Sequence, residues 1–410
     1  MRRCLRISEI DIKKFMINTN QTYTYRDLSI LPAIVSSISS RKECNPYYDK
    51  MLPIFTAPMD SIVNEQNINE WIDNSITPIV PRNIEFQKRL DYTYKGYWVA
   101  YSLSEFINVF CQDKAYFTEE NNLYIPEVKV VIDIANGHMQ KIFDVCKKAK
   151  EVAKENNYHL VIMAGNIANP DTYYEYCKAG VDYVRCGIGG GSMCTTTTNT
   201  GIHCPMASLI NDVNRYKTWR KADGKFYTKV IADGSVKGYS DVIKALALGA
   251  DYVMVGGQFS KLLESAAEFI NADSKDDKLY WSVWDFDKSK KCKKDNDRAF
   301  TLKMDKPYDM VLLRDTCRKY HVKLYKSSHG MSTQEAQKCI NKNAPLKVSE
   351  GKTIIQESNM TISEWVTEFI AALTSAMSYC DCRTLEDFIG EQEFVVNSYG
   401  VLNTVNATNQ

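Results

Sequence analysis

VDYVRCGIGGGSMCTTTTNTG, from Val181 to Gly201, joins a short apolar run to a loop of unusual composition. The run VDYVRCG is rich in β-branched and aromatic residues and has the length of a strand. It breaks at Gly187 into four glycines within five positions, followed by Ser192, Cys194 and four consecutive threonines from Thr195. Glycines at that density contribute no packing, but they let a backbone take positive φ and approach a bound group closely. A strand whose C-terminal end opens into such a loop belongs to β/α architecture, where ligands meet the carboxyl ends of strands.

The same arrangement recurs along the chain. LPIFTAP from Leu52, ITPIVPR from Ile76, YWVAYSL from Tyr97, VKVVIDI from Val128, HLVIMAG from His159, KVIADGS from Lys229 and DYVMVGG from Asp251 join VDYVRCG to make eight runs. They are apolar nearly throughout, as parallel strands covered on both faces must be. Helical patterns lie between them at Gln140 to Asn156, Pro170 to Ala179 and Tyr239 to Leu248, with another expected at Phe259 to Ile270. Eight β/α units predict a TIM (β/α)8 barrel of a single domain over residues 1–410. The strand exits then gather Asp60, Arg82 with Asn83, Asp133 with Asn136, Gly165 with Asn166, the glycine loop, Asp233 with Gly234, and Gly256 with Gly257 on one face. Any one of these reads equally well as a turn residue or cap; their convergence on one mouth points to a site. Residues 273–306 are charged with interleaved aromatics and read as a surface insertion or a lid, and residues 401–410 as a flexible polar tail.

Composition narrows the function. Lys and Arg total 51 against 50 Asp and Glu, so no net field favours nucleic acid or an anionic membrane. No run is long and apolar enough to cross a bilayer, and MRRCLRISEIDIKKF lacks the apolar core of a signal peptide. The 13 cysteines include no CxxC pair and no Cys/His cluster, which predicts reduced thiols and a cytoplasmic protein.

Spacing alone suggests a phosphate site. Gly190, Gly191 and Ser192 supply donors after one strand, and Gly256 and Gly257 after another, the latter expected to open a helix whose dipole would favour an anion. Asp233 is placed to accept from a ribose diol, so a nucleotide is the economical ligand. Cys194, after the glycines, sits where backbone donors would favour a thiolate nucleophile; the alternative is an inert buried thiol.

These residues together resemble the inosine-monophosphate dehydrogenase and guanosine-monophosphate reductase superfamily, whose cysteine loop reads G-x-G-x-G-S-x-C-x-T. The resemblance runs in order through YRDLSILP from Tyr25, APMDS from Ala57, IDIANG from Ile132, IMAGN from Ile162, the loop itself, IADGS from Ile231, VMVGG from Val253, GMST from Gly330 and SEGK from Ser349. Three features are similar to the reductase branch: no room for a paired cystathionine-β-synthase-type module between Arg82 and Tyr97, no Arg-Tyr flap pair between Gln337 and Ser349, and Glu350 where dehydrogenases carry glutamine.

The resemblance implies an NADPH-dependent GMP reductase. Cys194 would attack purine C2 of GMP, ammonia would leave, and hydride from NADPH would release IMP. Thr196 and Glu350 match the pair that protonates the leaving nitrogen. Met59, Ser192, Asp233, Gly234, Gly256, Gly257, Tyr325, Gly330, Met331, Ser332, Lys347, Ser349 and Gly351 match positions around the nucleotide. Asp133, Asn136, Asn166 and Gly187 match the nicotinamide side, and carbonyls of Gly189, Gly191 and Cys194 a K⁺ site. A homotetramer is implied as well. Three departures stand out: Thr197, Thr198 and Asn199 replace basic residues, Lys347 replaces an arginine, and YKSSHGMS expands the phosphate strand. His329 in that strand is either a phosphate contact or a solvated loop histidine. The alternatives to a reductase are an IMP dehydrogenase-like enzyme using NAD and a catalytically silent nucleotide-binding barrel.

Overall fold

A computed structural model describes residues 22–112, 127–191, 194–270, 310–319, 323–330, 333 and 351–397. The short strand β1 (Leu28–Ile30) precedes eight parallel strands: β2 (Ile54–Thr56), β3 (Ile79–Val80), β4 (Trp98–Tyr101), β5 (Val128–Ile132), β6 (Leu160–Ile167), β7 (Tyr183–Cys186), β8 (Lys229–Asp233) and β9 (Tyr252–Val255). Each coincides with one of the eight apolar runs, with β6 continuing past its run to Ile167. Their order is β2-β9-β8-β7-β6-β5-β4-β3. A parallel bridge from Phe55 to Thr77 joins the two ends, supported by Thr56 N–H to Thr77 O at 3.0 Å and Thr77 N–H to Ile54 O at 3.1 Å. The ring is therefore closed, as the barrel expectation requires. Nearly every strand residue is buried, which explains the absence of alternation in the sequence.

Helices at Gln140–Glu155, Thr172–Lys178 and Tyr239–Ala247 match three of the four expected positions. The fourth, Phe259 to Ile270, is not a helix. It runs through successive turns and ends in β10 (Glu268–Ile270). The physical reason is capture of its carbonyls by distant groups. Asn67 Nδ2 donates to Glu264 O at 3.0 Å, and the Lys326 ammonium donates to Leu263 O at 2.9 Å and Ser265 O at 2.6 Å. Leu263 N–H turns outward to Met360 O at 3.0 Å. Tertiary hydrogen bonds thus outcompete local propensity. Gly256 and Gly257 consequently lead into turns rather than a helix, and the dipole expected behind them is absent.

β10 pairs antiparallel with β11 (Tyr325–His329), and β11 with β12 (Thr353–Glu357), forming a small sheet beside the barrel mouth. The last strand, β13 (Phe394–Val396), pairs with β1. The core is continuous from Tyr25 to Phe388. Residues 273–306 and 401–410 lie outside the described residues, and among the described residues no helix is long and apolar enough to cross a membrane.

Candidate active site

The carboxyl ends of the barrel strands converge on two carboxylates and two arginines. Arg185, inside β7, is buried and turns into the barrel mouth. Its Nε and a terminal nitrogen donate to Asp233 Oδ2 at 3.1 and 2.9 Å, and its other terminal nitrogen reaches Asp133 Oδ1 at 3.4 Å. Burial alone would lower the guanidinium pKa, but Asp233 and Asp133 offset it and raise the pKa instead. Arg82, at the exit of β3, lies 3.0 Å from Asp133 Oδ2 through an Nε that is misaligned for a hydrogen bond and is left buried without one. Asn166 Nδ2 donates to Asp233 Oδ2 at 2.7 Å and to Gly187 O at 2.8 Å. All side-chain partners of Asp233 among the described residues fall on Oδ2. One oxygen is anchored, and Oδ1 takes none.

Arg185 was not among the residues singled out from the sequence. Its signal was there: a charged residue within an apolar strand run is rarely buried unless paired. Asn136, by contrast, is exposed and accepts from His138 N–H at 3.0 Å in an Asx turn, the local role open to it from the start.

The glycine loop is dense for a steric reason. A Cβ on Gly187, whose φ is 130°, would lie 2.2 Å from Asp233 O; on Gly189, 1.7 Å from Thr197 Oγ1; on Gly190, 2.4 Å from Ser235 Oγ. The loop is thus pressed against the β8 exit on one side and the threonine segment on the other. Ser235 N–H donates to Gly190 O at 2.8 Å, and Ile188 O lies 2.9 Å from His203 Nδ1. With Gly187 O held by Asn166, most of the loop's carbonyls are therefore used within the fold. Of the proposed cation-binding set, Gly191 O closes a turn with Cys194 N–H at 3.0 Å.

Cys194 is partly exposed, and its Sγ donates to Thr196 Oγ1 at 3.2 Å. Thr196 opens the short helix Thr196–Thr200, which is too brief to add a useful dipole. Cys194 also forms an antiparallel bridge with Gly351, so the segment after SEGK's glutamate runs directly past the cysteine backbone. Met59 is buried at the β2 exit, with its sulfur 3.6 Å from the place a Gly256 Cβ would occupy. Gly234, with φ 99°, packs against Gly190 and Gly191. Tyr325 and Gly330 lie on and just beyond β11. The remaining sequence-predicted residues, Ser192, Met331, Ser332, Lys347, Ser349 and Glu350, lie outside the described residues.

Comparison with known proteins agrees with this geometry. The family model for the IMP dehydrogenase / GMP reductase domain matches residues 114–311. The GMP reductase of Staphylococcus carnosus is 26% identical over 93% of this chain and 98% of its own length. That of Oceanobacillus iheyensis is 29% identical over 66% of this chain and 80% of its own. The inosine-5'-monophosphate dehydrogenase of Chlorobaculum parvum is 30% identical over 65% of this chain, which spans only 44% of that longer protein. With the closed barrel, the cysteine loop and these matches in hand, the chain is similar to the superfamily of IMP dehydrogenases and GMP reductases and is most like the reductases.

Proposed function

We propose that this protein is an NADPH-dependent GMP reductase that converts GMP to IMP and ammonia. The observation that carries the reading is the meeting of Cys194, Thr196 and Gly351 at the mouth where Asp233 keeps one carboxylate oxygen unspent. Asp233 Oδ1 accepts from the ribose diol, while Arg185 holds Oδ2 in place. Cys194 Sγ bonds to purine C2 as the C2–N bond breaks. Amide is no leaving group at neutral pH, so the thiol's proton is lost to Thr196 and its partner Glu350 while they return one to the departing nitrogen. The donors and acceptors of Asp133, Asn166 and the unaligned Arg82 N–H suit a carboxamide. A reduced nicotinamide bound there supplies hydride to C2. Cys194 then leaves C2 as thiolate and is reprotonated. Carbonyls of Gly189, Gly191 and Cys194 suit K⁺ holding the loop, and a cytoplasmic homotetramer accompanies this reading.

The test is to follow reduced-cofactor absorbance in two mixtures. Loss of NADPH with GMP supports the proposal. Formation of NADH from IMP and NAD would assign a dehydrogenase instead, and silence in both would leave a nucleotide-binding barrel.

A further inference from the structure

We propose that His138 is a positioning residue: in its neutral form it clasps the exit of β5 to the exit of β6 and so holds Asn166 at the site, and protonation of the ring releases the clasp. The consequence for cofactor binding rests on the nicotinamide reading above. Ala168 N–H donates to His138 Nε2 at 3.1 Å, and His138 Nδ1 lies 3.0 Å from Thr172 Oγ1. A backbone amide nitrogen only donates, so Nε2 must offer its lone pair, and the one proton of the neutral ring sits on Nδ1 and is donated to the threonine hydroxyl. The ring is exposed and adds nothing to the core. Its contribution is these two bonds, which tie the turn after β5 to the residue after β6 and to the first turn of the helix Thr172–Lys178.

The neighbouring backbone is fitted to the same closeness. Gly137 N–H donates to Asn166 O at 3.0 Å, and the Tyr176 hydroxyl donates to Gly137 O at 2.9 Å. A Cβ on Gly137 would lie 2.7 Å from Asn166 O, so only glycine lets the two exits meet. Asn136 Oδ1, by accepting His138 N–H, shapes the turn that presents the ring. The side chain of Asn166 in turn holds Asp233 Oδ2 at 2.7 Å and Gly187 O at 2.8 Å. A shift of the β6 exit is therefore passed to the ribose-side carboxylate and to the start of the glycine loop together.

An imidazolium has two N–H donors and no lone pair, so a proton on Nε2 would face the Ala168 N–H donor to donor and break that bond. Burial, not charge, sets the ring's pKa below its ordinary value, which keeps the clasp closed at neutral pH. The charged groups of the surrounding segments are engaged elsewhere or turned to solvent. Asp133 is held by Arg82 and Arg185, Asp171 by the Tyr216 hydroxyl, Asp144 by Gln140 and Glu175 by Lys178, while Lys141 is exposed. With no carboxylate to stabilise the cation, release follows the ring's own protonation as pH falls.

The experiment compares wild type, His138→Leu and His138→Gln, whose amide oxygen can accept from Ala168 N–H but does not titrate. In initial rates with saturating GMP at about pH 8, His138→Leu is expected to raise the KM for NADPH about threefold to tenfold, the worth of one neutral hydrogen bond, with kcat within about twofold; His138→Gln should restore the wild-type KM. From about pH 8 down to about pH 5, KM should climb in wild type beyond any rise in His138→Gln. Equal KM in all three, a Gln variant as impaired as Leu, or wild type and Gln titrating alike overturns the proposal. Amide exchange at Ala168, followed by mass spectrometry at one pH, tests the clasp without turnover: it should quicken in His138→Leu and stay slow in His138→Gln, and equal rates refute the clasp. Wild type that oxidises no NADPH with GMP at any pH overturns the reductase reading instead, and the exchange rates then decide the clasp alone.

Discussion

The two mouths of the barrel are built from the same eight strands and treat charge in opposite ways. At the amino-terminal mouth, Asp182 and Asp251 stand just before β7 and β9. Each accepts a backbone N–H of the adjacent strand, Ile162 or Val230, at 2.7 Å, and each pairs with a helix lysine, Lys150 at 2.6 Å or Lys217 at 3.0 Å. Phe55, Trp98, Tyr183 and Tyr252 interlock there, with ring centroids 5.1 to 6.2 Å apart, under a cavity of about 770 Å³. Lys229 lies over the Tyr183 and Tyr252 rings. At the carboxyl-terminal mouth the carboxylates are only half spent: Asp233 Oδ1, Asp60 Oδ1, Ser61 Oγ and Arg82 Nε have no hydrogen bond among the described residues. One end satisfies its polar groups to fix strand register; the other withholds them from the fold. Buried polar groups left without partners destabilise by about 1–3 kcal/mol each, a penalty that a ligand can remove.

Substitutions at the two mouths should separate along that line. The largest effect is expected for Cys194→Ser, which should abolish measurable turnover while nucleotide affinity, measured by calorimetry, stays within about threefold. A parallel collapse of affinity would make the cysteine a structural part of the loop. Next, Arg185→Met removes the shared cation and leaves Asp133 and Asp233 facing each other. It should cost roughly 3–5 kcal/mol in urea unfolding and weaken nucleotide binding as well. Lys217→Met at the opposite mouth strands Gly249 O and Asp251. It should cost stability, about 1–3 kcal/mol, with KM and kcat unaltered; altered kinetics would mean the mouths are coupled.

A smaller effect concerns pH. Full burial holds the Lys326 ammonium down to about 7, with Glu264 pulling it back upward. Between that pH and its unfolded value the unfolded chain binds the extra proton, so stability gains from Lys326 as pH rises from about 7 toward 9.5. In Lys326→Met the slope of unfolding free energy against pH should flatten by up to about 1.4 kcal/mol per unit, and an unchanged slope would refute the buried, deprotonating lysine. Smallest of all, Lys129→Ala breaks a partly exposed pair with Glu127 and should shift stability by less than about 1 kcal/mol.

The barrel was legible because parallel strands covered on both faces leave long apolar runs, and their exits leave glycine and acidic residues. Asp233 and Asn166 stand at the ends of β8 and β6, and Cys194 and Thr196 in the loop that follows β7, which is what makes them candidates in the sequence. The failed helix at Phe259 to Ile270 shows the limit. Its local pattern is helical, and only Asn67 and Lys326, remote in sequence, determine where its carbonyls go. Arg185 illustrates a second limit: sequence marks the buried charge but not the two carboxylates that neutralise it, because they arrive from β5 and β8 only once those strands are assembled in the sheet.

The bridge between Cys194 and Gly351 joins two parts of the chain that are far apart in sequence. All eight barrel strands are complete by Val255, yet the backbone that runs beside Cys194 follows almost a hundred residues later. The backbone frame of Cys194 is thus closed from outside the barrel strands, by a segment that belongs to the last quarter of the polypeptide.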